Sequence, residues 1–233
     1  ESTIYNLLKM TDENRQAFLR RLLDPVNGMG MSLMRVTVGT SDFTAQDFYT
    51  YYDGTGKELD GKPDWNNVTG NGFSIQKDKD LGIIKVINEM QAIAKELGVE
   101  DNLKFFASSW TPPGWMKLPT SSSNSYEDNE LLLKGGKLND DYIDDLAKYM
   151  VRYVEEYQKC GIPIYAMTIQ NEPLLEINYP SCAMTGTQEA KIAKAIKAEL
   201  AKSTVLKDNE KEVKLWAFDH NFDGADKFMA DFF

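Results

Sequence analysis

Two spacings of apolar residues alternate along the chain. Ile83, Ile87, Met90, Ala94 and Leu97 step by four, three, four and three, which is one face of a helix, and Gly98 follows as a C-terminal cap. The spacing recurs in Ile143, Leu146, Met150, Tyr153 and Tyr157, closed by Gly161 and Pro163. Thr11-Asp12-Glu13 predicts the start of a helix that runs through Phe18, Leu19 and Leu22 to Leu23, where Asp24 and Pro25 stop it. An Ala/Lys-rich helix is predicted over 188–202. Short apolar runs at 34–38, 103–107, 164–169 and 213–218 lie between these segments. Each is too short for a helix and is bounded by polar or glycine-bearing stretches, so each reads as a buried parallel strand.

The order is one helix followed by four strand-helix units, which predicts a parallel sheet with right-handed crossovers. Helix-to-strand links are short, as at 98–102 and 161–163, whereas strand-to-helix links are long, at 39–79, 108–140 and 170–186. All the long links leave strand C-terminal ends, where barrel enzymes build their sites. They carry Phe43, Phe48, Tyr49, Tyr51, Tyr52, Trp65, Phe73, Trp110 and Trp115. Flat rings on such loops suit stacking against sugars; the alternative is that they pack the loops against the sheet.

Composition narrows the class. With 42% hydrophobic and 27% charged residues over 233 positions, the chain is globular, and its length allows one barrel-sized domain. A formal charge of −10 and the lack of a basic stripe argue against nucleic acid as a partner. No apolar run approaches the ~18 residues needed for stable membrane insertion. The chain opens on a polar helix rather than a signal peptide. Two cysteines, Cys160 and Cys182, and a single histidine, His220, offer no clustered ligand set, so no metal and no cofactor are expected. One disulfide between the cysteines is left open.

The most specific string is Thr168-Ile169-Gln170-Asn171-Glu172-Pro173, an Asn-Glu-Pro turn at the end of a predicted buried strand. A carboxyl there faces the cleft. Glycoside hydrolysis needs one carboxyl that protonates the leaving oxygen and a second that acts as nucleophile or base. The Asn amide can donate to a sugar hydroxyl, and Pro173 stiffens the turn. Taken alone, the same string fits a glutamate that caps the next helix.

Three strings in order carry a resemblance. They are Arg35 with Ser41-Asp42-Phe43, the run from Ala107 through Trp110-Thr111-Pro112-Pro113-Gly114-Trp115-Met116-Lys117, and the run from Gly161 to Pro173. Together they resemble glycoside hydrolase family 30, nearest its glucosylceramidase-like and β-1,6-glucanase branches. The resemblance implies an α/β fold, a (β/α)8 TIM barrel, with a side β-sandwich, and a retaining β-glycosidase acting by double displacement. It implies Glu172 as general acid/base and Asn171 as the neighbour that contacts the sugar. Asp42 and Trp110 match glycone-binding positions, and Arg35 matches a clamp near the nucleophile. Tyr179 would reach toward the acid/base, and Asp219-His220-Asn221 resembles a cleft-lining segment that makes His220 a candidate substrate contact.

The same resemblance implies that 1–233 holds only about strands 2–5 of the barrel, truncated at both ends and without the β-sandwich. The nucleophilic glutamate is then expected beyond Phe233, and the segment alone is expected to be inactive and poorly soluble. Glu176, four residues from Glu172 on one loop, lacks the independent strand support a second carboxyl needs. The implied partners are a β-linked glucoside, an oligosaccharide or a glycolipid of sphingolipid metabolism, and the implied location is secreted or extracellular. A non-catalytic sugar-binding barrel is the alternative, and an unrelated barrel enzyme pairing Asp42 with Glu172 is a third. Asn67-Val68-Thr69 fits a glycosylation sequon.

Overall fold

The computed structural model describes residues 1–54, 65 and 72–233; the Asn67-Val68-Thr69 sequon lies outside the described residues. In chain order the strands are β1 (Leu33–Thr37), β2 (Lys104–Ser108), the two-residue β3 (Lys117–Leu118) and β4 (Lys137–Leu138), β5 (Ile164–Thr168) and β6 (Lys214–Trp216). The helices are α1 (Ser2–Leu8), α2 (Asp12–Leu23), α3 (Gln76–Asp80), α4 (Ile83–Glu96), α5 (Ile143–Lys159), α6 (Gly186–Lys202) and α7 (Ala225–Phe232). Strands β1, β2, β5 and β6 pair in that order, all parallel, and β3 and β4 form a small antiparallel pair.

The pairing register sorts the side chains. Arg35, Phe106, Ala166 and Lys214 lie in one row, and Thr37, Ser108, Thr168 and Trp216 in the next. Because side chains alternate along a strand, these residues share a face. The opposite face, with Phe105, Ala107 and Met167 buried and Met34, Val36 and Leu215 partly so, belongs to the apolar core beneath the helices. The result is an arc of parallel strands with helices on one side and, on the other, a mixed face whose polar residues include Arg35, Thr37, Ser108 and Thr168.

Local signals explain where helices begin and end. Thr11 caps α2 by accepting the Asn14 N–H, and Thr185 and Gln188 form a reciprocal capping box at the start of α6. Gly98 and Gly161, at φ +68° and +78°, take the left-handed turn that follows α4 and α5. Arg15, fully buried on α2, reaches Glu89 on α4 with two hydrogen bonds of 2.7 and 2.9 Å. That fork satisfies a guanidinium which would otherwise be costly to bury.

Most of the loop aromatics pack the fold rather than face solvent. Tyr49, Tyr51, Tyr52 and Phe73 are buried, and Tyr51 stacks on Tyr149 and Tyr153 of α5. Trp115 donates to the Tyr52 carbonyl at 2.9 Å, and Trp65 to Asp145 at 3.0 Å. For these rings the sugar-stacking expectation gives way to packing. At their centre the buried Asp78 of α3 accepts hydroxyl hydrogens from Tyr49, Tyr51 and Tyr157 at 2.7, 2.6 and 2.5 Å. Burial pushes its pKa up to about 6 against the pull of the three donors. The two cysteines are unpaired, so the optional disulfide does not form. Among the described residues no helix is long and apolar enough to cross a membrane.

Candidate active site

The site grows out of the polar row at the strand C-terminal ends. Ser108 closes β2, and its hydroxyl accepts from Thr168 Oγ1 at 2.7 Å and donates to Asp219 Oδ2 at 2.8 Å. Arg35 Nη2 donates into the same knot, 2.8 Å from Ser108 Oγ, 2.8 Å from Asn171 Oδ1 and 2.6 Å from Asp219 Oδ2. The guanidinium lies over Trp110, with Cζ 4.6 Å from the ring centroid. Trp110 is therefore buried with one face occupied by a cation.

Past Thr168 the chain stays pinned between its neighbours. Asn171 donates its N–H to the Ser109 carbonyl at 2.7 Å, and Glu172 donates to the Asp219 carbonyl at 2.8 Å. Gln170 is buried and donates from Nε2 to Trp110 O at 2.7 Å. These anchors hold Glu172 at φ +50°, a left-handed conformation that is rare and costly for a residue with a side chain. Asn171 is oriented as well. Its Oδ1 faces Arg35, so its Nδ2 lies toward Glu172, 3.5 Å from Oε2.

Glu172 thus leaves the sheet as a supported carboxylate whose side chain is 31% exposed. His220 Nδ1 is 4.0 Å from Glu172 Oε1. That nitrogen also accepts the Asn221 N–H at 2.8 Å. Tyr179 is raised from the ordinary tyrosine range by burial and then by the charges of Glu172 and Asp42. Asp42, Tyr179 and Glu172 therefore share one electrostatic neighbourhood.

One buried cation holds the wall beside it. Lys117 donates to Thr111 Oγ1 at 2.9 Å, Ser181 O at 2.8 Å and Leu133 O at 3.3 Å, tying together three loops, one of which bears Tyr179. Its burial pushes the ammonium down to about 8. Glu176 accepts from the Thr120 hydroxyl and so serves as a loop tie.

The structure brings Arg35, Trp110, Asn171, Glu172 and His220 together, with Tyr179 within electrostatic reach of both Glu172 and Asp42. Sequence reasoning passed over Ser108, Thr168 and Lys117. The first two had a readable signal, a hydroxyl at the last inward position of an apolar run; a lone lysine in a loop had none. Among the described residues no group of three or more His, Cys, Asp or Glu could hold a metal ion.

Comparison with known proteins places the fold in a family. The family model for the glycosyl hydrolase family 30 TIM-barrel domain matches residues 1–230. An endo-1,6-β-D-glucanase of Aspergillus fumigatus is 29% identical over 228 residues, 96% of this chain and 42% of that protein. The lysosomal acid glucosylceramidase of Mus musculus is 26% identical, covering 81% of this chain and 33% of its own length. Among solved structures, an endo-β1,6-glucanase is 31% identical with a TM-score of 0.75, over 99% of this chain and 44% of that one. The chain spans about two fifths of the length of the curated relatives it matches first. The four-stranded arc is therefore part of a (β/α)8 barrel.

Proposed function

Because the chain belongs to glycosyl hydrolase family 30, we propose that it supplies the acid/base half of a retaining β-glycosidase site. Glu172 protonates the departing glycosidic oxygen and then, as carboxylate, activates the water that releases the sugar. Asn171, aimed by Arg35, donates to a hydroxyl of the sugar at the scissile bond. Asp42 accepts from sugar hydroxyls, Trp110 forms one wall, and Tyr179 and His220 line the approach to Glu172. The nucleophilic carboxylate comes from another strand of the barrel, where the Arg35 guanidinium would favour its ionised form.

The observation that carries this reading is the knot of Arg35, Ser108, Asn171 and Asp219 beneath a glutamate held in a left-handed conformation at a strand end. Strain kept under full support is what a positioned catalytic carboxyl requires. We place β-1,6-linked glucan ahead of a glucosylceramide-type glycolipid as substrate, because the glucanases are nearer in sequence than the mouse glucosylceramidase and one of them shares the fold at 31% identity. Action outside the cytoplasm is part of the same reading.

The test is Glu172→Gln in the full-length protein, assayed on a glucoside with a poor leaving group and on an activated aryl β-glucoside. Losing the acid should cut turnover of the first by roughly 100-fold or more and spare the second by comparison. Equal, mild losses on both would overturn the assignment.

A further inference from the structure

Glu189, in the first turn of α6, is fully buried. Its Oε2 accepts the Phe218 N–H at 3.2 Å, and its Oε1 has no partner among the described residues. Phe218 stands at φ +54°, the counterpart on the β6 side of the strained Glu172 on the β5 side. Its ring packs outward against Phe228 of α7, with centroids 4.9 Å apart. The carbonyl of Phe218 accepts the His220 N–H at 2.8 Å, closing a tight turn around Asp219. Asp219 is the residue that receives Arg35 and Ser108 on its side chain and the Glu172 N–H on its carbonyl.

Pairing of the two chains is interrupted and then restored in the same register, since Thr168 faces Trp216 and Asn171 faces Asp219. Phe218 is where the second chain departs from the ladder and where its N–H would be orphaned. A left-handed phenylalanine is strained, and an N–H left unmet beside it adds to that cost. Glu189 is the group that meets it.

We propose that Glu189 is a positioning residue, whose carboxyl captures the Phe218 N–H, fixes the Phe218–His220 turn and thereby seats Asp219 against Arg35 and the Glu172 backbone. It touches no substrate. Burial, with the nearby Asp219 charge adding to it, pushes its pKa up to about 8, so the group sits there as a neutral acid at neutral pH. A neutral carboxyl accepts one hydrogen bond without placing a second full negative charge behind Asp219. The consequence for turnover rests on the glycosidase reading above; the structural claim does not.

Three variants of the full-length protein test it. Glu189→Gln keeps the acceptor and should hold kcat within about threefold of the parent. Glu189→Leu keeps the bulk, removes the acceptor, and should lower kcat at least tenfold with KM nearly constant. Phe218→Gly takes the left-handed conformation freely but keeps the N–H, so in that background Glu189→Leu should cost less than in the parent without losing its effect entirely. Amide exchange over 214–221 gives a readout that needs no activity: protection should persist in the Gln variant and fall in the Leu variant. Unchanged protection and kcat in the Leu variant, or Gln and Leu equally damaging, or additive effects of Phe218→Gly and Glu189→Leu, would overturn the proposal. If the parent protein hydrolyses no β-glycoside while exchange behaves as expected, the glycosidase reading fails and the positioning role stands.

Discussion

Arg35 is at once a donor to three oxygens and a flat cation on an indole, and only a guanidinium does both. Lysine would keep the charge but not the planar contact with Trp110 or the reach to both Asn171 and Asp219. Arg35→Lys should therefore lower kcat/KM by roughly 10- to 100-fold. Arg35 and Asp219 are both partly open to water, so the ion pair adds little to stability and the melting temperature should move by no more than about 3 °C. Steady-state kinetics beside a thermal melt separates the two effects. The residue scale also shows what a sequence conceals. Thr168 to Pro173 pointed to Glu172 because an acid after a buried strand is chemically conspicuous. Nothing in the letters marked Glu172 and Phe218 as left-handed, since that conformation is imposed by Ser109, Asp219 and Glu189 from distant parts of the chain.

At the scale of elements, periodicity located four helices and the four strands of the parallel sheet; the short α3, β3 and β4 fall in stretches read as loops, and the remaining differences lie at element ends. The run 213–218 is apolar throughout, but β6 stops at Trp216 because the left-handed Phe218 two residues on cannot continue a ladder. Helix α6 starts two residues before its expected first position, where Thr185 and Gln188 cap each other. The capping box sits directly before Glu189, so it fixes the first turn from which that carboxyl projects. Thr185→Ala removes the side-chain acceptor for the Gln188 N–H and should cost about 1 kcal/mol, or a melting temperature lower by about 2–4 °C. Thermal denaturation checks it; an unchanged melt would mean that packing against α5 and α7 holds the turn without the cap. The aromatic loops were legible as a cluster but not as to role, because a ring that stacks on a sugar and one that packs on α5 have the same letter.

Across the whole molecule, buried acids set the response to pH. Asp78 and Glu189 are both raised by burial, to about 6 and about 8. A carboxyl with a raised folded-state pKa holds its proton more tightly than the unfolded chain does, so its contribution is complete below its unfolded pKa and is lost as pH rises through the folded one. Stability should accordingly decline between about pH 4 and 8, by roughly 3–5 °C of melting temperature per pH unit in the upper part of that window. Asp24 and Asp140 are lowered, by backbone hydrogen bonds from Asn27 and Val26 and by Gln188 respectively, and act in the opposite sense only on the acid side. Glu189→Gln should flatten the melting curve between pH 6 and 8. Parallel curves for parent and variant would show that Glu189 does not titrate there.

The three tyrosines gathered on Asp78 make that residue a shared anchor. Tyr49 and Tyr51 follow β1, Asp78 lies on α3 and Tyr157 on α5, so one buried carboxyl ties three separate stretches of the chain together. Losing it would release all three at once, so the wall behind the cleft is held or lost as a unit.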